Sequence, residues 1–452
     1  MTNDLSPHPR PVLTPLQIHT RYGDALSLTR PDGRALVLPG VIGTVFFERG
    51  SKPDVRQGLL ACFDRFEAVY GAHLRGGKST DLGKFSKKTA AGVQAIQQAI
   101  VETAPDRQVS VAWASAIDQD TAAEYQIKTL TNDEHPKDYQ YPGGTYVSPK
   151  GSDGGQLSFV KFQVPLAAIV DAEGLAQYEA FLHFICETLP VRGGYGGLSS
   201  LLPYAFHRFM PQEYELARQF SGLEIDTYGF VERKAYCTRS YEGESADNRS
   251  MVYPYLRPGA KVKSYGFIKG VNWYTLLGDV FVERLGGQPA LEAALARPDI
   301  AVTRIGQCVA VRAGPFPRLG APEEGLPEPY VFVNRVLRVL RNPTPDAMHS
   351  FIPDTDHADL TASRHWQARF DLPDAPPLPP VPEIVPPPGP GVARAPRRAA
   401  YAGDRCPQTG RWQAPRLAYR QEAVTEGEPM PGPASTETGA VVWYLVEEYG
   451  QR

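Results

Sequence analysis

The sequence predicts an α+β fold, with helices packed on mainly antiparallel strands and a small C-terminal β-rich module after a proline-rich linker. Three observations carry that expectation. Amphipathic stretches at helical spacing are interrupted by short segments whose apolar residues recur at every second position. The regular strand–helix–strand cadence of a doubly wound parallel sheet does not emerge, because the helical segments cluster and long polar loops intervene near 131–155 and 238–262. Between Pro373 and Pro390, ten of eighteen residues are proline. Proline lacks a backbone donor and builds neither helix nor sheet interior, so this stretch reads as an extended spacer. Residues 1–371 are therefore expected to form the main domain, 372–395 the linker and 396–452 the module. A piece as short as the last is marginal alone and is expected to pack on the main domain.

Taken in order, Leu36 to Phe47 reads as a strand pair after the turn Arg30-Pro-Asp-Gly-Arg34. Pro39-Gly40 is its expected break, and Gly43 a local bend. Pro53 opens a helix whose stripe is Val55, Leu59, Phe63 and Phe66, and a second helix carries Val93, Ile96 and Ile100. Val109, Val111 and Trp113 alternate as a half-buried strand should, as do Val160, Phe162 and Val164. Leu175, Tyr178, Leu182, Ile185 and Leu189 form the clearest helical stripe. Val271, Tyr274, Leu277 and Val280 read as another. Gly439 to Val446 reads as a strand near the C-terminus.

The composition narrows the function. Of 452 residues, 42% are hydrophobic and 21% charged, and the net charge is −3. That balance argues against a dedicated binder of nucleic acid or anionic membrane, which shows a basic excess. The five cysteines, Cys62, Cys186, Cys237, Cys308 and Cys406, include no C-x-x-C pair, so neither a structural zinc nor a disulfide framework is expected. Met1-Thr-Asn-Asp-Leu-Ser-Pro-His-Pro lacks a signal-peptide pattern, and no apolar run approaches the roughly 20 residues of a membrane span. The expectation is a reduced, cytoplasmic, soluble protein.

Each candidate for chemistry fails on spacing. Gly76-Gly77-Lys78-Ser79 resembles the end of a phosphate-binding loop, but Ala72 stands where the motif needs its first glycine, and a helix precedes it where a strand should. It reads as a solvated basic loop. Arg192-Gly-Gly-Tyr-Gly-Gly197 also follows a helix, and Ser199 replaces the third glycine of a dinucleotide fingerprint. Its glycines read as sites of positive φ and close backbone approach. Asp226 with Glu232-Arg-Lys234 resembles the carboxylate and E-x-K parts of a metal-dependent nuclease, but the gap is short for a turn between strands. His349, Asp354, Asp356 and His357 are suitable metal ligands at a spacing that matches no helical pair. Asp354-Thr-Asp356 reads equally well as a helix start. The nucleophile elbow G-x-S-x-G is absent. No catalytic residue, metal or cofactor is expected.

The blocks left unclaimed carry a family resemblance. Gly58-Leu-Leu-Ala-Cys-Phe-Asp-Arg-Phe66, Val191-Arg-Gly-Gly-Tyr-Gly-Gly-Leu-Ser-Ser-Leu-Leu-Pro203, Gly222-Leu-Glu-Ile-Asp226, Val271-Asn-Trp-Tyr-Thr-Leu-Leu-Gly278 and Ile305-Gly-Gln-Cys-Val-Ala-Val-Arg-Ala-Gly314 resemble the bacterial type VI secretion immunity family, over residues 25–370. Cys406-Pro-Gln-Thr-Gly-Arg-Trp412, Gly427-Glu-Pro-Met-Pro431 and Val442-Trp-Tyr-Leu445 resemble a short module of type VI-associated proteins. The resemblance implies an antitoxin that binds and inactivates a secreted effector, foremost a nuclease toxin of restriction-endonuclease-like fold. It supplies no catalytic residues. Against a nuclease, an acidic surface would mimic phosphates and speed association. The candidate toxin-binding residues are Glu323, Glu324 and Glu328, with Asp354 and Asp356. The competing classes are a metal-dependent hydrolase or nuclease, and a non-catalytic adaptor of the secretion apparatus.

Overall fold

The computed structural model describes residues 11–79, 85–131, 139–146, 158–226, 267–341, 348–349, 356–378 and 399–448, less a few positions within those ranges. The expected loop at 238–262, Glu232 to Lys234, Asp354 and most of the proline-rich stretch lie outside the described residues. The chain divides into two compact units. One comprises Met1–His135, Asp153–Leu256 and Val262–Ile384, and the other Pro136–Ser152, Arg257–Lys261 and Val385–Arg452.

The larger unit opens with α1 (Pro15–Tyr22), closed at its start by a Thr14/Gln17 capping box. Then come β1 (Leu28–Thr29), β2 (Ala35–Phe47), α2 (Pro53–Tyr70), β3 (Gly76–Lys78), β4 (Ser86–Lys87) and α3 (Ala90–Glu102). They are followed by β5 (Ser110–Ala114), β6 (Gln126–Leu130) and β9 (Ser158–Pro165); between β6 and β9 in sequence, the hairpin of β7 (Tyr139–Tyr141) and β8 (Gly144–Tyr146) belongs to the other unit. The chain continues through α4 (Ala172–Thr188), β10 (Val191–Leu201), α5 (Met210–Gln219), β11 (Tyr274–Gly278), α6 (Asp279–Arg284) and α7 (Gln288–Ala294). Last in this unit are β12 (Ile300–Ile305), β13 (Cys308–Ala313), α8 (Glu328–Leu337) and α9 (Leu360–Gln367).

Eleven strands form one sheet in the order β12-β13-β11-β10-β2-β9-β6-β5-β3-β4, with β1 added on β2. Its pairings are antiparallel, as the composition of elements predicts. On one face, α2 and α4 bury their predicted stripes. Phe66 packs 5.3 Å from Phe181, and Phe162 of β9 lies 4.7 Å from Phe181 and 5.3 Å from Tyr178, measured between ring centroids. Asp171 caps α4 by accepting from Gly174 N at 2.8 Å.

Four expectations change in three dimensions. Residues 35–47 are one long strand rather than a pair: Pro39 falls where pairing with β9 has ended, opposite Gly40, and pairing with β1 begins at Val37, so that stretch asks for no donor from Pro39. Gly76 to Lys78 is a strand, not a loop, and both glycines are buried. Val271 to Val280 is not a helix; β11 pairs with β10 and β13, and only Asp279 onward turns helical. Its apolar residues are buried on both faces, which erases the period-two signal. The fourth is the glycine block. Its glycines take ordinary strand φ, and close approach alone explains them. A Cβ on Gly196 would meet the Tyr178 hydroxyl, and one on Gly197 the Asn272 side chain, so the pair admits one neighbour on each face.

The second unit has its own sheet, ordered β14 (Ala399–Tyr401), β19 (Val442–Glu448), β15 (Gly410–Ala414), β16 (Arg420–Val424), and a hairpin of β17 (Ser435–Thr436) and β18 (Gly439–Ala440). Its core centres on Trp412, Trp443, Cys406 and Met430. The predicted strand near the C-terminus corresponds to β18 and β19.

Candidate functional site

β9 is not half-buried. Phe159, Val160, Phe162 and Val164 are fully enclosed, and Lys161 and Gln163 are also buried. Successive strand residues face opposite sides, so the polar members line a second interior layer. Among the described residues, that layer gathers several titratable groups, Lys161, Glu224, Asp226 and Lys269.

Lys161 of β9, Thr44 of β2 and Tyr195 of β10 stand side by side in the sheet register. All three converge on Asp226. Lys161 Nζ pairs with Asp226 Oδ2, the Tyr195 hydroxyl donates to Oδ1 at 2.6 Å, and the Thr44 hydroxyl to Oδ2 at 3.2 Å. The segment carrying Asp226 is tied to β10 by Glu224 N donating to Leu198 O at 2.8 Å and Ser199 Oγ donating to Glu224 O at 2.9 Å. Two residues before Asp226, Glu224 pairs with Lys269 at 2.5 Å and accepts from Asn272 Nδ2 at 2.9 Å. Lys269 also donates to the Ile225 carbonyl. One cation thus holds the chain leaving the sheet at 226 beside the chain returning at 267.

Burial pushes the Asp226 carboxyl up, but Lys161, Lys269 and its hydrogen bonds more than offset this, and it lies below the usual aspartate value. At Glu224 burial outweighs Lys269 and Arg369, and the carboxyl is raised. Burial also lowers the Arg369 guanidinium, to about 10. The network ends at α5, where Glu213 accepts from Asp226 N at 2.8 Å and from His349 Nε2 at 3.0 Å. Because His349 Nδ1 accepts from Ala358 N at 3.0 Å, its proton sits on Nε2 and the ring is neutral. Opposite charges meet and carboxylate oxygens are taken up by donors. The arrangement braces the fold.

Of the metal-like cluster, Asp354 lies outside the described residues, and His349 and Asp356 are placed differently. His349 is buried against Glu213, whereas Asp356 is exposed and pairs with Arg218 at 2.5 Å. Among the described residues no group of three or more His, Cys, Asp or Glu could hold a metal ion. The helix expected to start at Asp354–Asp356 starts instead at Asp359, which accepts from Ala362 N at 2.8 Å.

The candidate toxin-binding acids are placed as follows. Glu324 is buried, against the expectation of a solvated loop: it accepts from Leu13 N at 2.9 Å and Ala321 N at 3.1 Å, and pairs with Arg318 at 3.4 Å. Glu323 is part-exposed and accepts from the Tyr22 hydroxyl at 2.5 Å, with Arg21 at 3.2 Å. Together they clasp α1 to the 319–328 loop. Glu328 is 77% exposed at the start of α8 and pairs with Arg297 at 2.6 Å, and Asp356 is 73% exposed. The exposed acids therefore belong to two separate segments. Sequence reasoning missed Lys161, Lys269, Glu224 and Tyr195 as a set. Their one visible signal is a lysine centred in the apolar run Val160-Lys-Phe162.

The larger unit is thus an antiparallel α+β scaffold with a buried ion network between its sheet and the 223–226 and 267–272 segments. The chain belongs to the TsiV family, type VI immunity for VRR-NUC, whose model matches residues 58–240 and 257–370. That family consists of immunity proteins to a nuclease effector. Among solved structures, the chain is similar to the Pseudomonas aeruginosa T6SS protein PA0821, at 21% identity and a TM-score of 0.60 over 77% of this chain and 88% of that one. This likeness bears on the fold. Comparison with curated proteins returns no match. Among the described residues no helix is long and apolar enough to cross a membrane.

Proposed function

We propose that this chain is the cytoplasmic immunity partner of a type VI nuclease effector and neutralises it by direct occlusion of the active site, with no turnover of its own. Membership of the TsiV family across both matched segments carries this reading. The geometry supports it: Asp226, the carboxylate a metal-dependent nuclease would use, is spent on Lys161 and Tyr195 inside the fold. The partner in this reading is a VRR-NUC toxin of restriction-endonuclease-like fold, and neither nucleic acid nor membrane is bound directly. A nuclease draws in a polyanion, so the part-exposed carboxylate of Glu323 and the exposed ones of Glu328 and Asp356 fit its basic surface, with Asp354 two residues before Asp356 in sequence. Glu324 serves by fixing the loop that presents Glu323.

Association kinetics with the effector's nuclease domain test this. The Debye length shrinks from about 10 Å at 0.1 M salt to about 3 Å at 1 M, so kon should fall steeply across that range while koff changes less. DNA should compete for the same surface. Salt-independent association, or a complex that still admits DNA, would sink occlusion. Metal-dependent turnover of DNA or RNA by the chain alone, abolished in His357→Ala, would favour a hydrolase instead. Binding to secretion components but not to the effector would favour an adaptor.

A further inference from the structure

The clasp that holds α1 also gathers apolar surface. Leu13 N is bonded to Glu324; Val12, next to Leu13, is 51% exposed, and Leu326, two residues after Glu324, is 45% exposed. Leu16, on the first turn of α1, is 53% exposed. Large apolar side chains held this open on a rigid support mark a contact surface rather than a fold requirement. The support is rigid here: α1 has its capping box, Glu324 is buried on two backbone amides, and Gly325 takes a φ of 67° that fixes the turn before Leu326.

On the same loop and at its end stand the part-exposed carboxylate of Glu323, held by Tyr22 and Arg21, and the exposed carboxylate of Glu328, paired with Arg297. An apolar centre with a charged rim is the anatomy of a protein–protein interface. Acids in the rim suit a partner whose own surface is basic, as a nuclease's must be to hold its substrate.

We infer that the corner formed by α1 and the 319–328 loop docks the nuclease effector, with Leu16 and Leu326 as apolar anchors and Glu323 and Glu328 as the rim that selects a basic partner. This rests on the immunity reading above. The experiment uses the full-length chain and the catalytically inactivated nuclease domain of its VRR-NUC effector, measured by calorimetry. Leu16→Asp and Leu326→Asp, on two different elements, should each weaken binding by about thirtyfold, the loss of a buried hot-spot residue. Ile117→Asp, at an exposed apolar residue of another loop, should leave it unchanged. All three should keep the wild-type melting temperature. If both leucine variants bind as the parent does, this corner is not the docking surface, while binding by the parent leaves the immunity reading standing. If the parent itself does not bind, both fall. Self-association of the parent that the leucine variants lose, with effector binding intact, would assign the corner to a second copy of the chain and overturn the inference.

Discussion

Replacing Asp226 by asparagine is the sharpest probe of the buried network, because it removes one charge and almost no volume. In the wild type, Asp226 faces Lys161, Tyr195 and Thr44, with Lys269 close enough to lower its pKa. Asparagine would leave buried Lys161 without its counter-charge. Breaking a buried pair from one side costs about 3–5 kcal/mol. At about 2.1 cal/mol/K of unfolding entropy per residue, a unit of roughly 360 residues should lose about 4–7 °C of melting temperature. Adding Lys161→Met to Asp226→Asn should restore part of that loss, since the orphaned cation is then gone. Calorimetry and urea unfolding at several pH values provide the assay. A carboxyl whose folded pKa is depressed contributes stability above its unfolded value, and that contribution disappears as pH falls through the folded value. The gap between wild type and Asp226→Asn should therefore be full at neutral pH, begin to narrow below the ordinary 3.8, and close as pH falls through the lower folded value. Glu224, whose carboxyl is raised, acts in the opposite sense, contributing most below its unfolded value and losing this as pH rises through the folded one. A single variant within about 0.5 kcal/mol of wild type, or a double variant as unstable as the sum of its parts, would refute the claim that this network braces the fold.

Gly194→Ala should cost about 1–3 kcal/mol, because the new Cβ would lie 2.5 Å from the Thr44 carbonyl of the neighbouring strand, and backbone cannot move aside; denaturant unfolding measures it. Glu324→Ala should cost about 1–3 kcal/mol by stranding two backbone donors and Arg318, and should speed hydrogen exchange throughout α1. Glu323→Ala, at a part-exposed group, should cost less stability than Glu324→Ala. A chain ending at residue 378 should still unfold cooperatively, because Asp371, which Arg338, Arg341 and Asn334 hold, is retained; an insoluble or gradually melting product would place the tail within the main core.

What the sequence determined on its own was whatever local periodicity controls. Pro53 and the stripe Val55, Leu59, Phe63, Phe66 specify α2, the stripe from Tyr178 to Ile185 specifies α4, and alternation at Val109–Trp113 and Val160–Val164 specifies β5 and β9. The family was legible in the glycine and aromatic blocks, because close approach at Gly196 and Gly197 admits so few residue types. The tertiary structure alone decided whether a polar strand residue meets water or a counter-ion. Alternation in β9 predicts a solvent face, and nothing local says that residues 223–226 and 267–272 will cover it and supply carboxylates to Lys161. The same limit hid the clasp. Glu323 and Glu324 are adjacent acids in a loop, indistinguishable in sequence, yet one reaches the Tyr22 hydroxyl and the other the Leu13 amide about 300 positions away, at separations of 301 and 311 residues. Hydrogen-bond partners that distant are set by how the layers stack, and no pattern of spacing within a short window encodes that stacking.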